Sequence, residues 1–139
     1  MQLTLNTDYS LRVLLYTAQN QHKNISTRDI SEYFNISNNH LVKVVNNLGK
    51  LGYLELKRGR YGGGVKLILS PNEINVGEVV QQVEPLDLVE CFNSEKDNCR
   101  ISQSCQLKRV LFQAKRVFID ELKKTSLQDL LINNEISDS

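Results

Sequence analysis

The chain has 139 residues, enough for one domain or for one domain with a dimerisation element. Its 40% hydrophobic and 24% charged residues supply a core and exclude intrinsic disorder. No apolar run reaches the roughly 18 residues that span a bilayer, and the first residues lack the basic-then-apolar order of a signal peptide, so a cytoplasmic protein without a membrane partner is expected. The net charge of +1 hides a polarity: residues 1–70 carry nine Lys/Arg against four Asp/Glu, and residues 71–139 carry eight against twelve. A basic half joined to an acidic half suggests that the first meets a polyanion.

From Thr7 to Asn20, the residues Leu11, Leu14, Leu15 and Ala18 fall at i, i+3, i+4 and i+7, which predicts a first helix. Ser26 with Asp29 three residues later reads as a variant capping box, opening a short helix from about Thr27 to Tyr33. A compact turn at Asn35-Ile36-Ser37 follows. Ser37 is then the expected N-cap of a third helix, in which Leu41, Val44, Val45 and Leu48 recur at helical spacing until Gly52 stops it. The other face of that helix carries Asn39, Lys43, Asn46, Asn47 and Lys50. Two helices joined by a tight turn, the second with polar donors facing outward, make a helix-turn-helix.

Two β-prone stretches, Tyr53 to Lys57 and Val65 to Leu69, flank the basic glycine-rich tip Arg58-Gly-Arg-Tyr-Gly-Gly-Gly64. A hairpin in this place is a wing. Beyond Pro71, the residues Val76, Val79, Val80 and Val83 predict a short helix ending near Pro85. From Gln106, the stripe Leu107, Val110, Leu111, Ala114, Val117, Phe118 and Leu122 is longer than a small winged domain can cover, and reads as a dimerisation helix. Ser126 caps a final turn, Leu127 to Ile132, before an acidic tail. The expected fold is mainly α with a small β-wing: a winged helix-turn-helix DNA-binding domain at 1–75, then a cysteine loop and long dimerisation helix at 76–139.

Asn side chains can pair with adenine edges, Lys and Arg with guanine or phosphate, and hydroxyls at helix N-termini with phosphate oxygens. On that chemistry the candidate contacts to double-stranded operator DNA are Ser37, Asn38, Asn39, His40 and Lys43, with Thr27 and Arg28 at the start of the preceding helix. In the wing, Arg58 and Arg60 have the reach that a narrow minor groove attracts. The glycine run lacks the lysine and hydroxyl of a phosphate-binding loop, so a nucleotide site is not expected.

All three cysteines lie within fifteen residues, as Cys91-x7-Cys99-x5-Cys105. An odd, clustered number in a cytosolic chain favours metal ligation or redox chemistry over a disulfide framework. Three thiolates can converge on a soft centre, and the tight knuckle of a zinc site is missing. An iron-sulfur cluster is the favoured cofactor, and three cysteines with one other ligand suit either 4Fe-4S or 2Fe-2S. Both histidines, His22 and His40, lie in the basic half, so an oxygen ligand from elsewhere is required. Asp8 is a candidate, although on sequence alone an ordinary N-terminal cap or first-turn acid is the better reading of it. No catalytic residue is expected: no cysteine has a nearby histidine, no nucleophile elbow occurs, and the carboxylates show no acid/base spacing.

The opening Met1-Gln-Leu-Thr-x-x-Thr-Asp-Tyr-x-Leu-Arg-Val13, the wing Arg58-Gly-x-x-Gly-Gly-Gly64 and the run Gly77-Glu-Val-Val-x-x-Val-Glu-Pro85 resemble the Rrf-type winged-helix regulators over nearly the whole chain. The segment Glu84-Pro-Leu-x-Leu-Val-Glu-Cys91, with Cys99-Arg-Ile and Cys105-x-Leu-Lys108, is most similar to the nitric-oxide-sensing branch of that family. A branch that senses iron-sulfur cluster supply has equal gaps and a histidine three places after the last cysteine, where this chain has Lys108. The resemblance implies a DNA-binding homodimer with one cluster per subunit, nitric oxide as signal, and control of nitric-oxide detoxification genes. It implies Cys91, Cys99 and Cys105 as ligands, with Asp8 of the partner subunit as the fourth. A cluster-supply sensor and a small electron-transfer protein are the competing readings, and sequence-selective, salt-dependent DNA binding separates the second from a regulator. Arg60→Ala is expected to weaken operator binding more than Lys124→Ala in a gel shift, since only the first lies in the wing.

Overall fold

A computed structural model describes residues 3–57, 64–85 and 106–131. The elements are α1 (Leu5–Gln19), α2 (Thr27–Phe34), α3 (Asn38–Lys50), β1 (Leu54–Lys57), β2 (Gly64–Leu67), a 3-10 turn (Pro71–Glu73), α4 (Val76–Val83) and α5 (Gln106–Leu122); residues 127–131 are again helical. Helix α1 starts earlier than its apolar spacing predicts, because the Thr4 side chain caps it by accepting from the Thr7 amide. The predicted capping box of α2 is present in both directions, Ser26 Oγ accepting from Asp29 N and Asp29 Oδ2 from Ser26 N.

The turn between α2 and α3 is held from inside. Asn35 takes the left-handed conformation at φ 55° that Asn tolerates well, Ile36 is buried, and Ser31 Oγ donates to the Ile36 carbonyl. Gly52 at φ 91° turns the chain out of α3 into β1. Strands β1 and β2 pair antiparallel from Leu54↔Leu67 to Lys57↔Gly64, and Val65 N donates to the Ile25 carbonyl at 2.8 Å, which adds the segment before α2 to the wing's base. β2 ends at Leu67, two residues short of the predicted Leu69, although Ile68 N still reaches the Tyr53 carbonyl at 3.0 Å.

The main core forms between α1 (Val13, Leu14), α2 (Ile30) and α3 (Leu41, Val44, Leu48), and it continues past the wing to Ile74, Val79, Val83 and Leu127. Residues 74–76 are stitched to 123–127: Leu127 N donates to the Ile74 carbonyl at 2.8 Å, Val76 N to the Thr125 carbonyl at 3.0 Å, and Asn75 Nδ2 to the Lys123 carbonyl at 2.6 Å. Ser126 and Asp129 repeat the reciprocal cap of α2. Gly77 makes this approach possible, because a Cβ there would lie 2.6 Å from Lys123 N. Tyr53 Oη donates to Gln82 Oε1 at 2.8 Å and ties the root of the wing to α4. Burial, and secondarily the charge of Glu78, hold this phenol above its ordinary pKa.

Helix α5 departs from the single stripe predicted for it. Ile119, absent from that stripe, is its buried anchor and packs on Val76 and Val80, with Leu11, Phe118, Leu122 and Leu130 around them. Leu107, Val110 and Val117 stay 59%, 62% and 60% exposed. The helix therefore has two apolar faces, one inside the chain and one outside it. Leu127, only 1% exposed, belongs to the same core as α3; Leu127→Ala should lower unfolding free energy by about 2–5 kcal/mol, measured by urea titration.

Candidate nucleic-acid interface and ligand residues

Helix α3 buries Leu41, Val44, Val45 and Leu48 and turns Asn39, Lys43, Asn46 and Lys50 to solvent. These four fall at i, i+4, i+7 and i+11, one continuous stripe of amide donors and ammonium groups. No acidic residue occurs anywhere in α3. Ser37 accepts from the His40 amide at 3.4 Å as N-cap, leaving Asn38 and Asn39 exposed over the helix's positive end. Among the other candidates, Thr27 is half-buried at the first position of α2 and Arg28 is exposed. Arg28 pairs with Glu32 at 3.2 Å, both side chains mostly in water. Exposed pairs of this kind are weak, so the guanidinium is held only loosely.

His40 differs from its neighbours on α3. It is half-buried, with its ring edge-on to Tyr9 of α1 at a centroid distance of 4.8 Å. Tyr9 and Phe34 in turn lie under the Arg12 guanidinium, at 5.9 and 5.7 Å. Arg12 is fixed by Asp8, which accepts from Nε at 3.0 Å and from Nη2 at 3.1 Å. Asp8, the candidate fourth ligand, thus stands at the head of an uninterrupted contact path to the first turn of the recognition helix. Its side chain is 42% exposed and held by a neighbour on its own helix. Its carboxylate is accessible to a further ligand. Among the described residues no three of His, Cys, Asp and Glu come together, and Cys91, Cys99, Cys105, Arg58 and Arg60 lie outside them.

Glu84 is the functional-site neighbour that sequence reasoning missed. It is 7% exposed, and its Oε2 accepts from Thr4 N at 2.8 Å, Thr4 Oγ1 at 2.9 Å and Thr7 Oγ1. The carboxylate at the end of α4 therefore closes over the first turn of α1, on Thr4 and Thr7. Its only trace in the sequence is the juxtaposition of a Thr-x-x-Thr opening with a Val-Glu-Pro run far downstream.

The family model described as an iron-dependent transcriptional regulator, Rrf2, matches residues 3–133. The HTH-type transcriptional regulator NsrR of Bacillus subtilis (strain 168) is 47% identical to this chain, with 97% of this chain and 93% of the relative covered. NsrR of Shouchella clausii is also 47% identical, over 97% and 91%. Among solved structures, IscR of T. potens superposes with a TM-score of 0.77 at 22% identity, covering 100% of this chain and 92% of that one. CymR, the global cysteine regulator of B. subtilis, gives 0.67 at 23% over 96% and 98%. These structures share the fold read above, and the relatives are named as regulators, not enzymes. With the family model spanning nearly all of it, the chain belongs to the Rrf2 family of iron-dependent transcriptional regulators.

Proposed function

We propose that this protein is a homodimeric repressor that binds a double-stranded operator, holds one iron-sulfur cluster per subunit, and lets go of the operator when nitric oxide reacts with that cluster. The 47% identity to NsrR regulators over 97% of the chain carries the reading. The genes under control are those of nitric-oxide detoxification.

Cys91, Cys99, Cys105 and Asp8 are the residues that would hold the cluster, 4Fe-4S in this reading, with Asp8 given by the partner subunit. The donor set fits: three thiolates suit a soft iron centre, a carboxylate completes the count, and Asp8 is at the surface where, among the described residues, its side chain has an intrahelical ion pair to give up. When bound, the cluster supplies iron that nitric oxide attacks. On the DNA, Asn39 would read a base edge, while Lys43, Arg28 and the wing residues Arg58 and Arg60 would hold phosphates or the minor groove. Ser37, Asn38, His40 and Thr27 would position the N-terminal ends of α3 and α2 on the backbone. The exposed face of α5, Leu107, Val110 and Val117, is the surface that a second copy would cover.

Dimeric readers need their recognition helices about 10 bp apart, or a multiple of it. Asp8 held across the dimer would fix the winged domain against the α5 axis and so fix that separation; once Asp8 is released, Arg12 takes it back and the separation is no longer enforced.

The decisive experiment is anaerobic purification with iron and sulfide counting, followed by nitric-oxide titration read by visible spectra and operator gel shift on one sample. About four irons per chain are expected, with bleaching and operator release in step. Cys99→Ser is expected to lose the cluster, and a wild-type response to nitric oxide in that variant overturns the reading. For the DNA surface, Asn39→Ala should cost about 1–3 kcal/mol on the operator and relax preference at one base pair, whereas Lys43→Ala should weaken operator and random DNA alike and reduce the salt slope by about 1. Fluorescence anisotropy across a salt series measures both.

A further inference from the structure

We propose that Glu84 is a positioning residue that carries the state of the cysteine segment into the DNA-reading half of its own chain; the inference rests on the cluster-sensing reading above. A carboxylate left unpaired in a protein interior is expensive, and this one is compensated by three donors on a single oxygen, the Thr4 amide and the hydroxyls of Thr4 and Thr7. Thr4 and Thr7 are the N-cap and the third residue of α1, so the carboxylate also lies at the positive end of that helix. The contact bridges 77 to 80 residues of sequence. It is a long-range fastening.

What stands on each side of it gives it a role. Pro85 follows Glu84 at once and has a fixed φ, and the segment with the three cysteines lies beyond it. On the other side Thr7 is followed by Asp8 and Tyr9, and the Tyr9 ring meets His40 in the first turn of α3. A change beyond Pro85 that reached Glu84 would, through its hydrogen bonds to Thr4 and Thr7, turn the head of α1 against α3. This route lies within one chain, in contrast to the tie through Asp8, which crosses the dimer.

Thr7→Val removes one donor at nearly constant shape, Thr7→Ser keeps it, and Glu84→Gln keeps an acceptor without the charge. Each variant, with wild type, is purified anaerobically; iron is counted, and operator affinity is measured for the cluster-loaded and cluster-free forms. Couplings between sites commonly amount to about 5–150-fold, and wild type and Thr7→Ser are expected in that range. Thr7→Val and Glu84→Gln are expected to bring the loaded-to-free ratio down to about 1–3, with iron content and affinity for random DNA unchanged. Amide exchange in the first turn of α1 should differ between loaded and free wild type and lose that difference in the two variants. A merely structural Glu84 would lower the unfolding midpoint and leave the ratio alone, and an unchanged ratio overturns the inference. If Glu84→Gln does not fold, the Thr7→Val and Thr7→Ser pair decides. A wild type that holds no iron, or binds operator equally with and without it, overturns the sensing reading before any variant is compared, and the inference falls with it.

Discussion

Helix α1 has to be covered on two sides at once. Val13 and Leu14 close the core shared with Leu41, Val44 and Leu48 of the recognition helix, while Leu11 packs among Val76, Val80 and Ile119 of α4 and α5. Burying an aliphatic side chain is worth about 1.5–3 kcal/mol, so neither contact is given up lightly. The helix that supports the DNA-facing α3 is thus the same one that seats α4 and, through it, the root of the cysteine segment. Helix α1 is therefore packed against α3 on one side and against α4 and α5 on the other.

The charged and polar groups on α1 follow this geometry. Its buried face is fastened at the head by Glu84, and its exposed face carries the Asp8–Arg12 pair with the guanidinium over Tyr9 and Phe34. The first is a charge removed from water and supplied with donors, which fixes position. The second is a surface pair of small energetic weight, which makes the carboxylate exchangeable. One fastening is buried and holds position, and the other lies at the surface and is weak.

Local physics made much of this readable beforehand. The 3.6-residue spacing of Leu41, Val44, Val45 and Leu48, the Ser26–Asp29 box and the Ser37 cap are relations between near neighbours, and each appears where its residues predict it. Long-range relations were not readable. Glu84 stood in the sequence only as a member of two family-like runs, and its burial could not be read there because it depends on threonines near the other end of the chain. Ile119 lies off the single stripe that was inferred, and packing against Val76 and Val80 makes it the buried residue of α5, with Phe118 and Leu122 of the stripe partly buried beside it. At the candidate site, the exposed stripe of α3 followed from periodicity, whereas the seating of His40 against Tyr9 came from the approach of α1.

Leu127 has a consequence for how the protein is made. Helix α3 and the wing are synthesised first, yet the core they stand on is completed far downstream by the side chain of Leu127, whose backbone amide donates to the Ile74 carbonyl. The DNA-reading half therefore emerges from the ribosome with part of its apolar floor uncovered and closes only when the end of α5 has folded back over α4. Completing that core waits on synthesis of the chain as far as Leu127, so the interval is set by translation, at about 5–20 residues per second.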